Sequence, residues 1–230
     1  MSGLKQRLIQ VQAAIRKAEA ASGRTEGSVS LLAVSKQQPV AAIAELAAAG
    51  HYQFGENYLQ EALPKIQALA TVDVEWHFIG PIQSNKTRSI AEHFAWVHSV
   101  DRLRIAQRLS EQRPIDQAPL NICLQVNVSD EVSKSGLRPD AVAELAHSVA
   151  KLPRLRLRGL MTIPAASTDL AEQRRPFARL RQLQAQLNRQ GLALDTLSMG
   201  MSADLEAAVA EGATLVRIGT AIFGPRPPRT

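Results

Sequence analysis

The chain has 230 residues, 45% of them hydrophobic, which is enough for one globular domain with a sizeable core. Its formal net charge is +6, but only 4% of its residues are aromatic, so no stacking platform for nucleic acid is visible. A single cysteine excludes an internal disulfide, no apolar run approaches membrane-spanning length, and the N-terminal stretch is charged throughout. These features predict a cytoplasmic protein that binds neither nucleic acid nor membrane, with a monomer as the default state.

The predicted elements alternate between strands and helices along the chain. An amphipathic helix over residues 4–22 comes first, because its apolar positions recur at helical spacing. Eight apolar runs are then predicted as strands: 31–35, 53–55, 75–79, 96–99, 121–128, 157–162, 196–199 and 215–218. Helices are predicted between them, for example over 40–49, 59–69, 102–111, 139–151, 171–190 and 203–211. This alternation predicts an α/β fold, a single-domain (β/α)8 TIM barrel over 1–230, with an extra N-terminal helix within 1–24 and a loose tail over 225–230.

A lone lysine closes the first apolar run, SLLAVSK over residues 30–36. Lys36 follows the predicted strand directly, at the end where α/β folds build their functional sites. An amine that is partly desolvated there has a lowered pKa and forms a Schiff base with an aldehyde. The alternative is a solvated lysine that caps the strand.

The last two predicted strands end in turns suited to an anion, LSMGMS over 197–202 and LVRIGT over 215–220. Ser202 is a good N-cap for the helix predicted to begin there, whose first N–H groups favour a phosphate. Gly219 lets backbone N–H groups approach an anion closely, and Thr220 adds a hydroxyl donor. Arg217 lies on the same strand face as Gly219 and needs a partner inside the barrel, either a heterocyclic nitrogen or an ion pair.

Five motifs together resemble a known family: AVSK at 33–36, FGEN at 54–57, WHFIG at 76–80, SMGMS at 198–202 and RIGT at 217–220. They are similar to those of the YggS/PROSC family of pyridoxal 5′-phosphate (PLP) homeostasis proteins, in order and over nearly the whole chain. The resemblance implies a fold-type III PLP barrel, similar to the N-terminal domain of alanine racemase. It also implies a protein that binds PLP without a well-defined turnover reaction.

The resemblance implies a role for each of the residues already singled out. Lys36 carries the Schiff base to PLP, and Arg217 faces the pyridine nitrogen. Ser202, Gly219 and Thr220 bind the phosphate. Arg217 does not give up its proton, so the ring nitrogen stays unprotonated and the ring is a weak electron sink.

Three further residues are predicted to bind or surround the cofactor. Asn57 is predicted to hydrogen-bond the O3′ of the ring or to line the pocket, the alternative being an Asn that merely ends a strand. His77 is predicted to contact the cofactor region, the alternative being a core histidine, and Met199 is predicted to pack around the ring. Lys134 is a candidate secondary PLP contact or a solvated loop lysine. The other histidines show no ligand spacing, so no metal site is predicted.

The function that the resemblance implies is PLP homeostasis, in which the protein buffers the reactive aldehyde or delivers it to PLP-dependent apo-enzymes. Alanine racemase takes a second base, a tyrosine, from another domain, whereas the tyrosines here, Tyr52 and Tyr58, both lie near the second strand. The protein is therefore predicted not to be an enzyme. One alternative is a PLP-dependent amino-acid racemase or related enzyme with Lys36 as its base. Another is a cofactor-free Schiff-base aldolase, which does not explain Arg217.

Overall fold

The core of the fold is a closed barrel of eight parallel strands. A computed structural model describes residues 3–129 and 135–224 of the chain. The strands follow chain order around the barrel, and β8 closes it by pairing with β1. They are β1 (Ser30–Val34), β2 (Gln53–Glu56), β3 (Glu75–Phe78), β4 (Trp96–Val100), β5 (Leu120–Gln125), β6 (Leu155–Met161), β7 (Thr196–Ser198) and β8 (Leu215–Ile218). This confirms the predicted (β/α)8 fold class.

Helices alternate with the strands and cover the outside of the barrel. They are α1 (Gly3–Ala21), α2 (Val40–Ala48), α3 (Leu59–Ala68), α4 (Thr87–His93), α5 (Leu103–Gln112), α6 (Val142–Val149), α7 (Leu170–Arg189), α8 (Leu205–Ala210) and α9 (Thr220–Phe223). The predicted N-terminal helix is present as α1, which buries Leu8, Val11 and Ile15 and packs against α8 and α9. No helix in the described part of the chain combines the length and the apolarity needed to cross a membrane.

The barrel separates two groups of buried side chains. The larger group lies between the strands and the surrounding helices. A small apolar group of Trp96, Cys123 and Met161 forms a separate cluster. Beside it, buried histidine, serine and arginine side chains join strands on different sides of the barrel. Barrels of this kind carry their functional sites at the carboxyl ends of the strands, and the candidate site lies where this polar interior reaches those ends.

The fifth strand is shorter than predicted. Pairing with β6 stops at Gln125, whereas the sequence predicted a strand to residue 128. Val126 and Val128 are buried, but Val126 forms an isolated parallel bridge with Leu137 instead of continuing the ladder. The predicted tail over 225–230 lies outside the described residues.

Candidate functional site

Lys36 lies in a tight turn immediately after β1. Its side chain is half-buried, and the next residue, Gln37, has a φ of 61°, a left-handed conformation that is uncommon for a residue other than glycine. The backbone N–H of Gln37 donates to Glu61 Oε2 at 3.0 Å, and the N–H of Gln38 donates to the Ser35 carbonyl at 3.0 Å. These hydrogen bonds hold the chain on both sides of Lys36 in one conformation.

A buried ion pair supports this turn. Lys65 Nζ, on α3, donates to Glu56 Oε1 at 2.8 Å and to the Ser35 carbonyl at 2.9 Å. The Ser35 hydroxyl donates to the same carboxylate oxygen at 2.6 Å. Burial raises the pKa of Glu56, while hydrogen bonds from Lys65 and Ser35 oppose that shift. The turn that carries Lys36 is therefore attached through charged hydrogen bonds to the end of β2 and to α3.

Asn57 follows β2, and its backbone lies close to Gly80, which follows β3. A Cβ on Gly80 would come within 2.0 Å of the Asn57 carbonyl oxygen, so only glycine fits there. The side-chain oxygen of Asn57 is buried, and no described residue donates a hydrogen bond to it. A buried acceptor with no protein donor is a place where a ligand hydroxyl can donate.

Arg217 projects into the barrel from β8. Its Nη1 donates to the carbonyl and to the hydroxyl of Ser198 at 2.6 and 2.8 Å, and its Nη2 donates to the Thr162 carbonyl at 2.8 Å. Burial lowers the pKa of Arg217 to about 10, opposed by the charge of Asp204, so the guanidinium remains charged at neutral pH. No carboxylate lies within 4.0 Å of it among the described residues, so the ion pair considered as the alternative is not formed.

The end of β8 lies against the end of β1. A Cβ on Gly219 would come within 3.3 Å of the Val34 carbonyl oxygen, two residues before Lys36. Gly219 is half-buried and Thr220, the first residue of α9, is exposed. Lys36, Asn57 and the Gly219–Thr220 turn therefore lie at the ends of three neighbouring strands, β1, β2 and β8.

Ser202 is placed differently from the prediction. It lies in an exposed turn, and α8 begins only at Leu205 with Asp204 as its N-cap residue. Asp204 Oδ1 accepts a hydrogen bond from the N–H of Met201 at 2.6 Å and so closes this turn. The prediction that Ser202 caps the helix is wrong, because Asp204 takes that position. Ser202 remains accessible on the loop that follows β7.

Neither His77 nor Met199 is accessible to solvent at the carboxyl end of the barrel. His77 is fully buried, and its two ring nitrogens are hydrogen-bonded to His98 and Glu75. It therefore contacts the barrel's own side chains, and its contact with the cofactor region stays a prediction. Met199 is also fully buried, within the core between strands and helices, and offers no surface to a ligand. The strand alternation explains this, because neighbouring Ser198 points into the barrel.

Sequence reasoning missed the polar side chains that join His77 to Arg217. His98 Nε2 lies 2.9 Å from His77 Nδ1, and His98 Nδ1 lies 2.8 Å from the hydroxyl of Ser198 that Arg217 contacts. The available signal was the two-residue alternation, which places His98 on the same face of β4 as Trp96. Lys134, the candidate secondary contact, lies outside the described residues. Within them, no group of three or more His, Cys, Asp or Glu side chains is arranged to hold a metal ion.

Comparison with known protein sequences shows similarity over almost the whole chain. A model of the family described as alanine racemase, N-terminal domain, matches residues 9–227. A pyridoxal phosphate homeostasis protein from Pseudomonas aeruginosa is 62% identical over 226 residues, covering 98% of this chain and 97% of that protein. A protein of the same name from Escherichia coli (strain K12) is 52% identical over 229 residues, covering 98% of each.

Solved structures are also similar to this chain over almost its whole length. PipY from Synechococcus elongatus, in a structure described as having PLP bound, is 39% identical with a TM-score of 0.85, covering 96% of this chain and 100% of that one. An alanine racemase from Corynebacterium glutamicum is 18% identical with a TM-score of 0.71, covering 94% of this chain and 61% of that one, which shows likeness of fold alone. This chain therefore belongs to the pyridoxal phosphate homeostasis protein family, whose barrel is matched by the alanine racemase N-terminal domain model.

Proposed function

We propose that this protein binds PLP at the carboxyl end of its barrel and acts in PLP homeostasis, buffering the aldehyde and delivering it to PLP-dependent apo-enzymes. The observation that carries the proposal is the convergence of Lys36, Asn57, Arg217 and the Gly219–Thr220 turn at the ends of neighbouring strands. The relatives named as PLP homeostasis proteins and the PLP-bound structure of PipY support it.

The groups at this end of the barrel match the chemistry of PLP. Lys36 supplies an amine for the aldehyde, and Asn57 supplies a buried oxygen that accepts no hydrogen bond from the described residues. Gly219 and Thr220 supply backbone N–H groups and a hydroxyl to the phosphate, and Ser202 supplies a second, accessible hydroxyl. When bound, PLP contributes an electrophilic aldehyde and an aromatic ring that withdraws electrons.

Lys36 binds covalently in this proposal. Its amine would hold PLP through a reversible bond to the aldehyde that the cofactor supplies, with loss of water. The hydrogen-bonded turn fixes the backbone around Lys36 at the end of β1, and the preceding residues of β1 lie against Gly219, so the two turns are neighbours. Because this bond forms reversibly, a protein that uses it for retention also releases the aldehyde.

Arg217 favours a carrier over an enzyme. Three described acceptors take three of the five N–H donors of the guanidinium, which leaves donors for a ring nitrogen. Since Arg217 keeps its own proton, it hydrogen-bonds the ring nitrogen without protonating it. An unprotonated ring stabilises a carbanion poorly, and carbanion chemistry is what a racemase requires.

The tyrosines offer little to a two-base mechanism. Tyr58 follows Asn57 at the carboxyl end and is exposed, whereas Tyr52 lies before β2, at the opposite end of the barrel. A racemase places a proton donor on each face of its carbanion. If racemase activity exists, it depends on Tyr58, and a Tyr58→Phe variant tests that alternative directly.

The test is a spectroscopic titration of the purified protein with PLP, beside Lys36→Ala and the matched exposed-lysine variant Lys151→Ala. We expect a visible absorbance band in the wild type and in Lys151→Ala, and no such band in Lys36→Ala. A wild type that takes up no PLP, or an unchanged band in Lys36→Ala, would contradict the proposal. Substantial turnover of an amino-acid panel would favour the enzyme alternative.

A further inference from the structure

A chain of hydrogen-bonded side chains crosses the interior of the barrel. It runs from Glu75, at the start of β3, through His77, His98 and Ser198 to Arg217. The successive contacts are 3.0 Å from Glu75 Oε1 to His77 Nε2, 2.9 Å from His77 Nδ1 to His98 Nε2, 2.8 Å from His98 Nδ1 to Ser198 Oγ, and 2.8 Å from Ser198 Oγ to Arg217 Nη1. We call these five residues the barrel relay.

The two ends of the barrel relay lie in different surroundings. His77, His98 and Ser198 are fully buried and Arg217 is nearly so, whereas 40% of the Glu75 side chain is exposed. Glu75 borders a cavity of about 600 Å³ at the amino-terminal end of the barrel, which Glu26 also lines. The relay therefore connects the solvent at the amino-terminal end to the arginine at the opposite, cofactor-binding end.

Only one arrangement of protons satisfies every contact in the relay when both imidazoles are neutral. The carboxylate of Glu75 can only accept, so His77 Nε2 carries the proton and donates to it, which leaves His77 Nδ1 to accept from His98 Nε2. His98 Nε2 therefore carries its proton and His98 Nδ1 accepts, so the Ser198 hydroxyl donates to His98 Nδ1 while its oxygen accepts from Arg217 Nη1. The acceptor-only end at Glu75 therefore sets the direction of the relay, and the donor-only end at Arg217 is compatible with it.

The electrostatics agree with this assignment. Burial lowers the pKa of both His77 and His98, which keeps the two rings neutral at pH 7. The hydrogen bond from His77 lowers the pKa of Glu75, with further hydrogen bonds from Gln53 and Trp96. The relay thus joins one fixed positive charge to one fixed negative charge through neutral groups.

We propose that Glu75 is a positioning residue for the cofactor site, acting through the barrel relay as the remote counter-charge that holds Arg217 in its donor orientation. Arg217 has no carboxylate within 4.0 Å among the described residues, and Asp204, which also faces it electrostatically, makes no described hydrogen bond with it. The effect on PLP rests on the proposed function, whereas the proton arrangement can be measured without PLP.

The first test is nitrogen NMR of the protein labelled with ¹⁵N-histidine, without PLP, at pH 7. We expect His77 and His98 both to carry their proton on Nε2 alone. In Glu75→Leu, His77 loses its acceptor, so a fraction of both rings should change to the Nδ1–H tautomer. In Glu75→Gln the amide oxygen still accepts, so the tautomers should be retained. Charged rings in the wild type, or tautomers that do not change in Glu75→Leu, would overturn the relay.

The second test is PLP affinity. We expect Glu75→Leu to bind PLP about tenfold more weakly, with a displaced absorbance band, while Glu26→Leu at the same cavity binds like the wild type. Because Glu75 and Ser198 act through one chain, the effects of Glu75→Leu and Ser198→Ala should be less than additive. Additive effects, or equal losses in Glu75→Leu and Glu26→Leu, would show a merely structural role. If the wild type binds no PLP, the proposed function fails, and the NMR result still decides the relay.

Discussion

Replacing Lys65 by Met tests whether the buried ion pair holds the Lys36 turn. The change removes the donor of two hydrogen bonds, to Glu56 and to the Ser35 carbonyl, at a site where the Glu56 side chain is fully buried. Breaking a buried pair by removing one partner costs roughly 3–5 kcal/mol. At roughly 2–4 °C per kcal/mol for a chain of this size, the melting temperature should fall by about 10 °C.

The loss should depend on pH in a definite direction. Burial already raises the pKa of Glu56, and without Lys65 it should rise further. A carboxyl whose folded-state pKa is raised contributes stability below its unfolded pKa of about 4.3, and loses it as pH rises through the folded value. The stability gap between wild type and Lys65→Met should therefore widen from pH 5 to pH 8.

The assay is urea unfolding followed by circular dichroism, with PLP titration of each variant beside it. Lys151→Met, at an exposed lysine, serves as the matched control and should change stability by less than about 0.5 kcal/mol. Glu56→Gln combined with Lys65→Met should recover part of the loss, because the unpaired charge is gone. If Lys65→Met is as stable as the control, or if its stability gap does not change with pH, the ion pair does not support the turn.

Three further experiments test the neutral buried histidines, the burial of Cys123 and the close approach of Gly80 to Asn57. Because burial lowers the pKa of His77 and His98, the unfolded chain binds more protons below about pH 6.5, so stability should fall from pH 7 to pH 5. A urea midpoint that is flat over this range would count against neutral buried rings. Burial raises the pKa of Cys123 to about 12, so this thiol should react with a thiol reagent at pH 8 only upon unfolding, and fast labelling of the folded protein would contradict its placement. Gly80→Ala places a methyl group 2.0 Å from the Asn57 carbonyl oxygen, so it should lower the free energy of unfolding by more than about 2 kcal/mol and weaken PLP binding. An unchanged PLP affinity would show that Asn57 is not part of the binding site.

The barrel could be predicted because each strand is a short apolar run bounded by turn residues. The eighth strand was predicted over 215–218 and is observed over Leu215–Ile218. The fifth was predicted too long, because Val126 and Val128 are apolar and buried without belonging to the β5–β6 ladder. Hydrophobicity reports burial, and strand pairing is decided by partners distant in sequence.

The position of some candidate site residues in the fold could be predicted where local chemistry decides it. Lys36 and Gly219 were placed at strand ends from sequence alone, and the closed barrel brings those ends together. Ser202 and Asp204 are both good N-cap residues, and their sequence spacing does not say which of them begins α8. The burial of Met199 between strands and helices was not predicted, because the side of the barrel that a residue faces depends on the phase of the strand.

The barrel relay could not be predicted because it depends on register between strands. Alternation along β3 places Glu75 and His77 on one face, which the sequence does indicate. That His98 faces His77 follows only from the pairing of β3 with β4, where His77 lies opposite Trp96. Such contacts join residues that no local pattern connects.

The most direct test of the central claim is the site of covalent attachment of PLP. Purified protein loaded with PLP is reduced with borohydride, which fixes any Schiff base, then digested and mapped by mass spectrometry. The account predicts the added mass on the peptide that contains Lys36, and its absence from that peptide in Lys36→Ala. Attachment confined to other lysines, or no attachment to a wild type that has bound PLP, would contradict the claim that Lys36 holds the cofactor.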